Sequence, residues 1–203
     1  HRVHRRQRQM CIRDSLNSLQ HVEYPAMRIV VIDNDSSDGS AATITEAFPD
    51  VEMVQNSSNL RFAHGCNQGI EKALSAGADY VLLLNNDTEV DPAFLSAMIE
   101  SAEKSESIGI VGAKIYYADR RDLLWYAGGI VRLWRGEVAH RGIREKDQGQ
   151  FDAAEATDYV TGCAMLIKST CLQELGGLDE AYYMYSEDVD FLSLIHISEP
   201  TRP

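Results

Sequence analysis

The chain reads as an α/β fold built on a doubly wound, mainly parallel sheet of the Rossmann-like kind, and three observations carry that reading. Tyr80–Leu84 (YVLLL) and Met27–Ile32 are short apolar runs without alternation, the pattern of strands buried on both faces. Each run breaks abruptly into a polar cluster, Asp33 to Asp38 after one and Asn85 to Thr88 after the other. Groups placed just past the carboxyl end of such strands face the crevice where open α/β sheets bind ligands. Between the strands lie segments with helical spacing and helix punctuation, so strand and helix alternate along the chain.

Composition narrows the class. With 203 residues, 44% of them hydrophobic, the chain can form one sizeable core. No apolar run approaches the ~20 residues of a membrane-spanning helix. The formal net charge of -12 argues against a nucleic-acid partner or an anionic membrane surface, both of which reward clustered Lys and Arg. It suits metal-assisted handling of a small phosphate ligand. Cys11, Cys66, Cys163 and Cys171 show no metal-binding spacing and read as packed thiols in a reducing compartment. The two ends differ from the middle: residues 1–15 (HRVHRRQRQMCIRDS) and 192–203 (LSLIHISEPTRP) lack periodicity and resemble translated adaptor read-through. We therefore expect a single domain over 16–191 with non-native tails on either side.

In order, Leu16 to His21 reads as the end of a helix broken at Tyr24-Pro25, and Met27–Ile32 as a buried strand. A helix over Ala41–Phe48 stops at Pro49, and Val51–Val54 is a third strand. Residues 59–79 place Gly65 and Gly69 at helical spacing, with Phe62, Ile70 and Leu74 as a modest apolar face. After Tyr80–Leu84, Pro92 starts a helix whose buried face is Phe94, Leu95, Met98 and Ile99. Ile108–Val111 is a brief strand. Lys114 to Arg141, rich in Tyr and Trp with Gly128-Gly129, predicts hairpins, and Arg141 to Ala156 a mobile polar loop. Asp158–Lys168 is a strand with Gly162 near its start, where a missing side chain admits a ligand on the acceptor side. A last short helix ends at Gly176-Gly177.

The candidate chemistry sits at the strand ends. Asp87 is a hard oxygen ligand suited to Mg²⁺ or Mn²⁺, which bind through one or two carboxylates together with water and substrate phosphate. Asp33 or Asn34 could accept hydrogen bonds from a base or ribose, while Ser36 to Ser40 could cap the next helix. Arg61 and Asn67 lie at the start of a helix that points to the same edge, where anions bind well. His64 reads as packing. Glu187, Asp188 and Asp190 stand in a row behind an aromatic segment; carboxylates this close raise one another's pKa, which suits a proton acceptor near neutrality. An acidic helix start would account for the same residues.

Taken together, VVIDNDSSDGS, NLRFAHGCNQGI, LLLNNDTEVD, TGCAMLIK and GGLDEAYYMYSEDVDF resemble glycosyltransferase family 2, in particular its rhamnosyltransferase-like members, in the right order over residues 16–191. The resemblance implies a GT-A fold binding a nucleotide-diphospho-sugar and a divalent metal, Mn²⁺ or Mg²⁺. Asp33, Asn34 and Asp35 would match the nucleotide-contacting acidic motif. Asn85, Asn86 and Asp87 would occupy the D-x-D position, Asp87 as the metal ligand and Asn86 near the ribose. Asp188 would match the general base, with Glu187 its neighbour and runner-up. The family often has Gly where this chain has Arg61, and its D-x-D motif begins here with Asn. The family's first strand, normally mid-sheet, is missing before Leu16. The implied activity is inverting transfer of a sugar to a saccharide or lipid-linked saccharide acceptor in cell-surface polysaccharide synthesis. The implied place is the cytoplasm, at the inner face of the cell membrane by peripheral association. A nucleotidyltransferase and a non-catalytic nucleotide-sugar binding fragment are the alternatives.

Overall fold

A computed structural model describes residues 2–182 and 187–198. The chain opens with a long helix, α1 (Arg2–Gln20), on which Ile12, Leu16 and Leu19 form one buried stripe. The stripe packs against Ile44 of α2 (Ser40–Ala47) and the adjoining Phe48. The helix expected to end near His21 thus begins well before Leu16, and no break falls at residue 15. Ile12 lies one turn ahead of Leu16 and extends its face. A single apolar position in a basic segment carries too little periodicity to be read from sequence.

Strand β1 (Val30–Asp33) pairs in parallel with β2 (Glu52–Gln55), in register Val30 to Glu52. Beyond helix α3 (Arg61–Ser75), strand β3 (Tyr80–Leu84) pairs antiparallel with β9 (Ala164–Lys168). Strand β9 also pairs antiparallel with β4 (Ile110–Gly112), giving the order β3-β9-β4. Within this order β3 and β4 run the same way, and β9, returning from late in the chain, inserts between them in the opposite direction. Among the described residues, no strand pairs with the edge of β1 away from β2 or with the edge of β3 away from β9. This split falls mid-sheet, where the resemblance expects a first strand. Its cost is visible in β1, whose residues are all half-buried where full burial was expected.

Helices cover both faces. On one side α3 spans the two pieces: Ile70 joins Val81 and Leu83 in the main core, while Gly65 and Gly69 bring the helix against Ile32 of β1. Phe62, expected on the apolar face of α3, is instead 36% exposed. On the other side, Leu95 and Met98 of α4 (Phe94–Ala102) pack on Leu166 of β9. The start of α4 is fixed by Asp91, whose carboxylate accepts from the Ala93 N–H (2.9 Å). Strand β3 has apolar neighbours on both faces, which explains why its sequence does not alternate.

The aromatic stretch forms two hairpins, β5 (Ile115–Tyr117) with β6 (Arg120–Tyr126) and β7 (Gly129–Arg132) with β8 (Glu137–His140). The expected mobile loop after Arg141 is tied down. The Arg141 N–H donates to Gly128 O (2.8 Å), and Lys114 bridges the carboxylates of Asp147 (2.7 Å) and Asp152 (2.6 Å). Helix α5 (Ser169–Leu175) follows β9 and ends at Gly176, whose φ of +82° favours glycine. The last helix, α6 (Glu187–Ser198), buries Phe191 and Leu192 in the main core, so the expected boundary at residue 192 falls inside a helix. The aromatic segment Tyr183 to Tyr185 and residues 199–203 lie outside the described residues.

Candidate active site

The end of β1 delivers Asp33, Asn34 and Asp35. Asp33 Oδ2 accepts from the Ser36 N–H (3.3 Å), closing a turn at the strand end. The Asn34 side chain donates from Nδ2 to Arg61 O (2.9 Å) and accepts at Oδ1 from Asn56 Nδ2 (2.8 Å). Asn56 and Gln68 in turn exchange two amide hydrogen bonds (2.8 and 2.9 Å). Asn34 is thus built into an amide network that ties β1 to α3. A β-carbon at Gly65 would stand 3.2 Å from Asn34 Nδ2, so the small residue lets helix and strand approach. The cap of the next helix comes from Asp38, whose Oδ1 accepts from the Ser40 N–H (3.0 Å).

Arg61 opens α3 with φ +75°, a conformation that costs a non-glycine residue about 1–2 kcal/mol. This backbone geometry accounts for the glycine the family often places there. Asn59 supports the turn by accepting the Arg61 N–H at Oδ1 (2.9 Å). Arg61 therefore stands beside Asn34 at the edge of β1, and Phe62 follows it toward the other half of the site.

That other half forms around Gly162 and Cys163, just before β9. The Asn85 N–H donates to Cys163 O (3.0 Å), and Thr88 Oγ1 donates to Asn85 O (2.8 Å), which fixes the turn past β3 and leaves Asn86 and Asp87 exposed. Burial, and after it the charge of Asp87, pushes the Cys163 thiol up to about 11. From the opposite direction, Asp188 Oδ2 accepts from the Gly162 N–H (3.1 Å) and Oδ1 from the Val189 N–H (2.9 Å). A β-carbon at Gly162 would lie 3.8 Å from Phe62 Cζ and 3.9 Å from Asp188 Oδ2, so glycine holds open the space among them. Nearby, Tyr159 is buried in the core; that burial first, and then the Asp188 charge, pushes its hydroxyl up to about 12.

The acidic row does not act as a cluster. Asp188 turns to Gly162, Asp190 accepts from the Tyr182 hydroxyl (3.1 Å), and Glu187 turns inward, 7% exposed. Glu187 Oε2 has no hydrogen-bond partner among the described residues. Burial and then the charge of Glu187 push the Cys66 thiol up to about 12, so neither Cys66 nor Cys163 presents a thiolate near neutrality.

Asn67 lies off the sheet edge. Its amide faces the loop after α5, where it bonds Leu178 and Glu180, and His64 bonds Glu180 from one turn earlier (2.8 Å). The structure thus joins Asp188 to Gly162 beside the turn that carries Asp87, joins Asn34 to Arg61, and links the two through the first turn of α3. Asn67 and Glu187 turn elsewhere. Phe62, read from sequence as a core face, instead approaches Gly162. Surface hollows lined by Gln9, Arg13 and Thr43 and by Tyr24, Tyr80 and Lys168 lie away from these residues.

A split sheet between helices is an α/β architecture of the GT-A type, and solved structures share it. The mannosyltransferase PcManGT from Pyrobaculum calidifontis, in complex with GDP-Man and Mn²⁺, matches with a TM-score of 0.64 at 17% identity, over 91% of this chain and 48% of that one. S. aureus TarS 1-349 matches with a TM-score of 0.67 at 17% identity, over 94% and 52%. The chain belongs to Glycosyl transferase family 2, whose profile matches residues 5–175. Among curated relatives, an N-acetylglucosaminyl-diphospho-decaprenol L-rhamnosyltransferase from Mycobacterium tuberculosis is 24% identical over 195 residues. A poly-beta-1,6-N-acetyl-D-glucosamine synthase from Staphylococcus epidermidis is 27% identical over 188 residues. The matches cover 86% and 92% of this chain but 62% and 42% of those relatives.

Proposed function

We propose that this site moves a sugar from a nucleotide-diphospho-sugar to an acceptor hydroxyl in a single displacement that inverts the anomeric centre. The observation that carries the reading is the Gly162–Cys163 corner, where the turn past β3 that carries Asp87 bonds Cys163 O through the Asn85 N–H, and Asp188 of α6 accepts from the Gly162 N–H. Asp188 takes the proton of the acceptor hydroxyl as that oxygen bonds to the anomeric carbon. The bond from that carbon to the diphosphate oxygen breaks, and its electron pair leaves with the nucleoside diphosphate. Two backbone N–H groups orient the Asp188 carboxylate for this task. Glu187, turned into the core, leaves the role of base to its neighbour.

Asp87 suits a cation held by one carboxylate together with water and substrate phosphate. Among the described residues, no group of three His, Cys, Asp or Glu is placed to hold a metal ion. A divalent cation there, Mn²⁺ or Mg²⁺, would neutralise charge on the departing diphosphate. Mn²⁺ accompanies GDP-Man in the Pyrobaculum structure, which supports this part of the reading. Asp33, Asn86 and Arg61 face the donor, with Asn34, Asp35 and Asn85 shaping the loops that carry them.

The family resemblance favours a deoxythymidine- or uridine-diphospho-sugar as donor, and relatives named as a decaprenol-linked rhamnosyltransferase and a polysaccharide synthase support a saccharide or lipid-linked saccharide as acceptor, in cell-surface polysaccharide synthesis. Work on such an acceptor belongs at the cytoplasmic face of the membrane by peripheral association. No helix among the described residues is long and apolar enough to cross a membrane.

Product analysis tests the reading. Incubated with deoxythymidine- or uridine-diphospho-sugars and Mn²⁺, the chain should release nucleoside diphosphate and glycosylate an added saccharide. Pyrophosphate as the product would make it a nucleotidyltransferase, and binding with no product a binding module. A thermal shift that needs both nucleoside diphosphate and Mn²⁺ would support the donor site independently of turnover.

A further inference from the structure

Asn67 has the sequence position of a nucleotide contact, yet every polar atom of its amide engages the loop between α5 and α6. Nδ2 donates to Leu178 O (2.9 Å) and to Glu180 Oε1 (3.0 Å), and Oδ1 accepts from the Leu178 N–H (2.8 Å). A side-chain amide that both donates to and accepts from one backbone residue imitates a strand pairing, and it fixes that residue in two directions. The approach is close enough to dictate sequence. A β-carbon at Gly177 would stand 2.3 Å from Asn67 Oδ1, so the second glycine of Gly176-Gly177 makes room for this amide. One helical turn earlier, His64 Nδ1 lies 2.8 Å from Glu180 Oε2, so α3 grips both carboxylate oxygens of Glu180. The Asn67 amide first, and His64 after it, hold the Glu180 carboxyl below its usual range.

The clasp matters to the site because of its place in the chain. The first turn of α6 holds Asp188 against the Gly162 N–H. Leu178 and Phe191 are buried in the same core as Ala63 of α3, so the clasped loop, α6 and α3 share one core. Resting on the reading of Asp188 as the base, we infer that Asn67 is a positioning residue for the transfer: by clasping Leu178 and Glu180 to α3, it fixes where α6 begins and hence where Asp188 stands relative to Gly162. An apolar residue could fill the same space, but only an amide of this length satisfies both Leu178 groups and Glu180 together.

The test compares Asn67→Ala and Glu180→Ala with the unaltered chain. Turnover is read as nucleoside diphosphate released from deoxythymidine- and uridine-diphospho-sugars with Mn²⁺, affinity by titration of the matching nucleoside diphosphates, and loop order by amide hydrogen exchange. Asn67→Ala should lower kcat at least tenfold, leave nucleotide affinity within about twofold, and speed exchange at Leu178 and the first turn of α6. The double variant Asn67→Asp with Glu180→Gln, in which the new amide donates to the new carboxylate, should recover part of kcat. Glu180 is exposed, so Glu180→Ala, expected to lower kcat severalfold, keeps the idea open to refutation if Asn67→Ala does not fold. Weakened nucleotide affinity with unchanged kcat would overturn the inference in favour of a direct donor contact, and unchanged exchange would overturn it outright. An unaltered chain silent with every donor would instead sink the transferase reading, and the positioning role with it.

Discussion

The two halves of the site are built on opposite plans. At the end of β1, polar side chains satisfy one another: Asn34 bonds Asn56 and the Arg61 carbonyl, and Asn56 bonds Gln68. Past β3, Asn86 and Asp87 stand exposed, and the hydrogen bonds that Asp188 accepts among the described residues come from backbone N–H groups. Satisfied amides hold elements together, because an unpaired buried polar group is costly. Carboxylates left exposed, or held only by backbone N–H groups, are open to ligand chemistry in a way that the interlocked amides are not. The contrast separates residues that tie elements together from those the proposed transfer would use.

Asp188→Asn breaks this contrast most sharply. Losing the general base should lower transfer by about 10²- to 10⁴-fold, while the fold and nucleotide affinity persist, since an amide oxygen can still accept from the Gly162 N–H. Turnover and titration on one preparation check both halves, and full activity in the variant would remove Asp188 from the mechanism. Next comes Asp87→Ala, which should abolish the Mn²⁺-dependent part of the thermal shift given by a nucleoside diphosphate. A shift that still needed Mn²⁺ would place the cation elsewhere.

The β1 half predicts the reverse pattern. Asn34→Ala should cost roughly 1 kcal/mol of stability by stranding Asn56 and the Arg61 carbonyl, with kcat at saturating donor changed no more than a few-fold. Denaturant unfolding beside initial rates decides between this and a catalytic role, for which rate would fall and stability hold.

The same contrast explains what could be read from the sequence. Tyr80–Leu84 and the polar residues after it were legible, because a strand covered on both faces writes an unbroken apolar run and its end writes an abrupt change. Asp87, Gly162 and Asp188 could each be singled out as candidates, and the structure joins Gly162 to Asp188. Pairing direction was not legible, since β9 comes from far along the chain and leaves no local mark on β3 or β4. Nor was the engagement of Asn34 and Asn67, because an asparagine facing a ligand and one facing Asn56 or Leu178 are the same letter. The signal for Asn67 lay in a second residue, Gly177, whose lack of a side chain has no meaning until the two are seen together. The acidic row misled in a similar way: adjacent carboxylates on a helix start point in different directions, so Glu187, Asp188 and Asp190 face the core, Gly162 and Tyr182 respectively.

The smallest expected effect falls on the residue that joins the two halves. Arg61 adopts φ +75°, where a side chain costs about 1–2 kcal/mol, whereas glycine recovers that strain but loses more conformational freedom on folding. The two effects oppose, and the strain is the larger, so Arg61→Gly should stabilise the chain by roughly 0.5–1 kcal/mol, a shift measurable in denaturant midpoint. Its carbonyl still accepts from Asn34 in the variant, which keeps the β1 network intact. If the guanidinium serves the donor, the more stable variant will bind nucleoside diphosphate more weakly. That trade would explain why a chain whose family often has glycine here tolerates a strained arginine. Stabilisation with unchanged nucleotide affinity would instead assign Arg61 no part in binding, and would leave the β1 half of the site purely architectural.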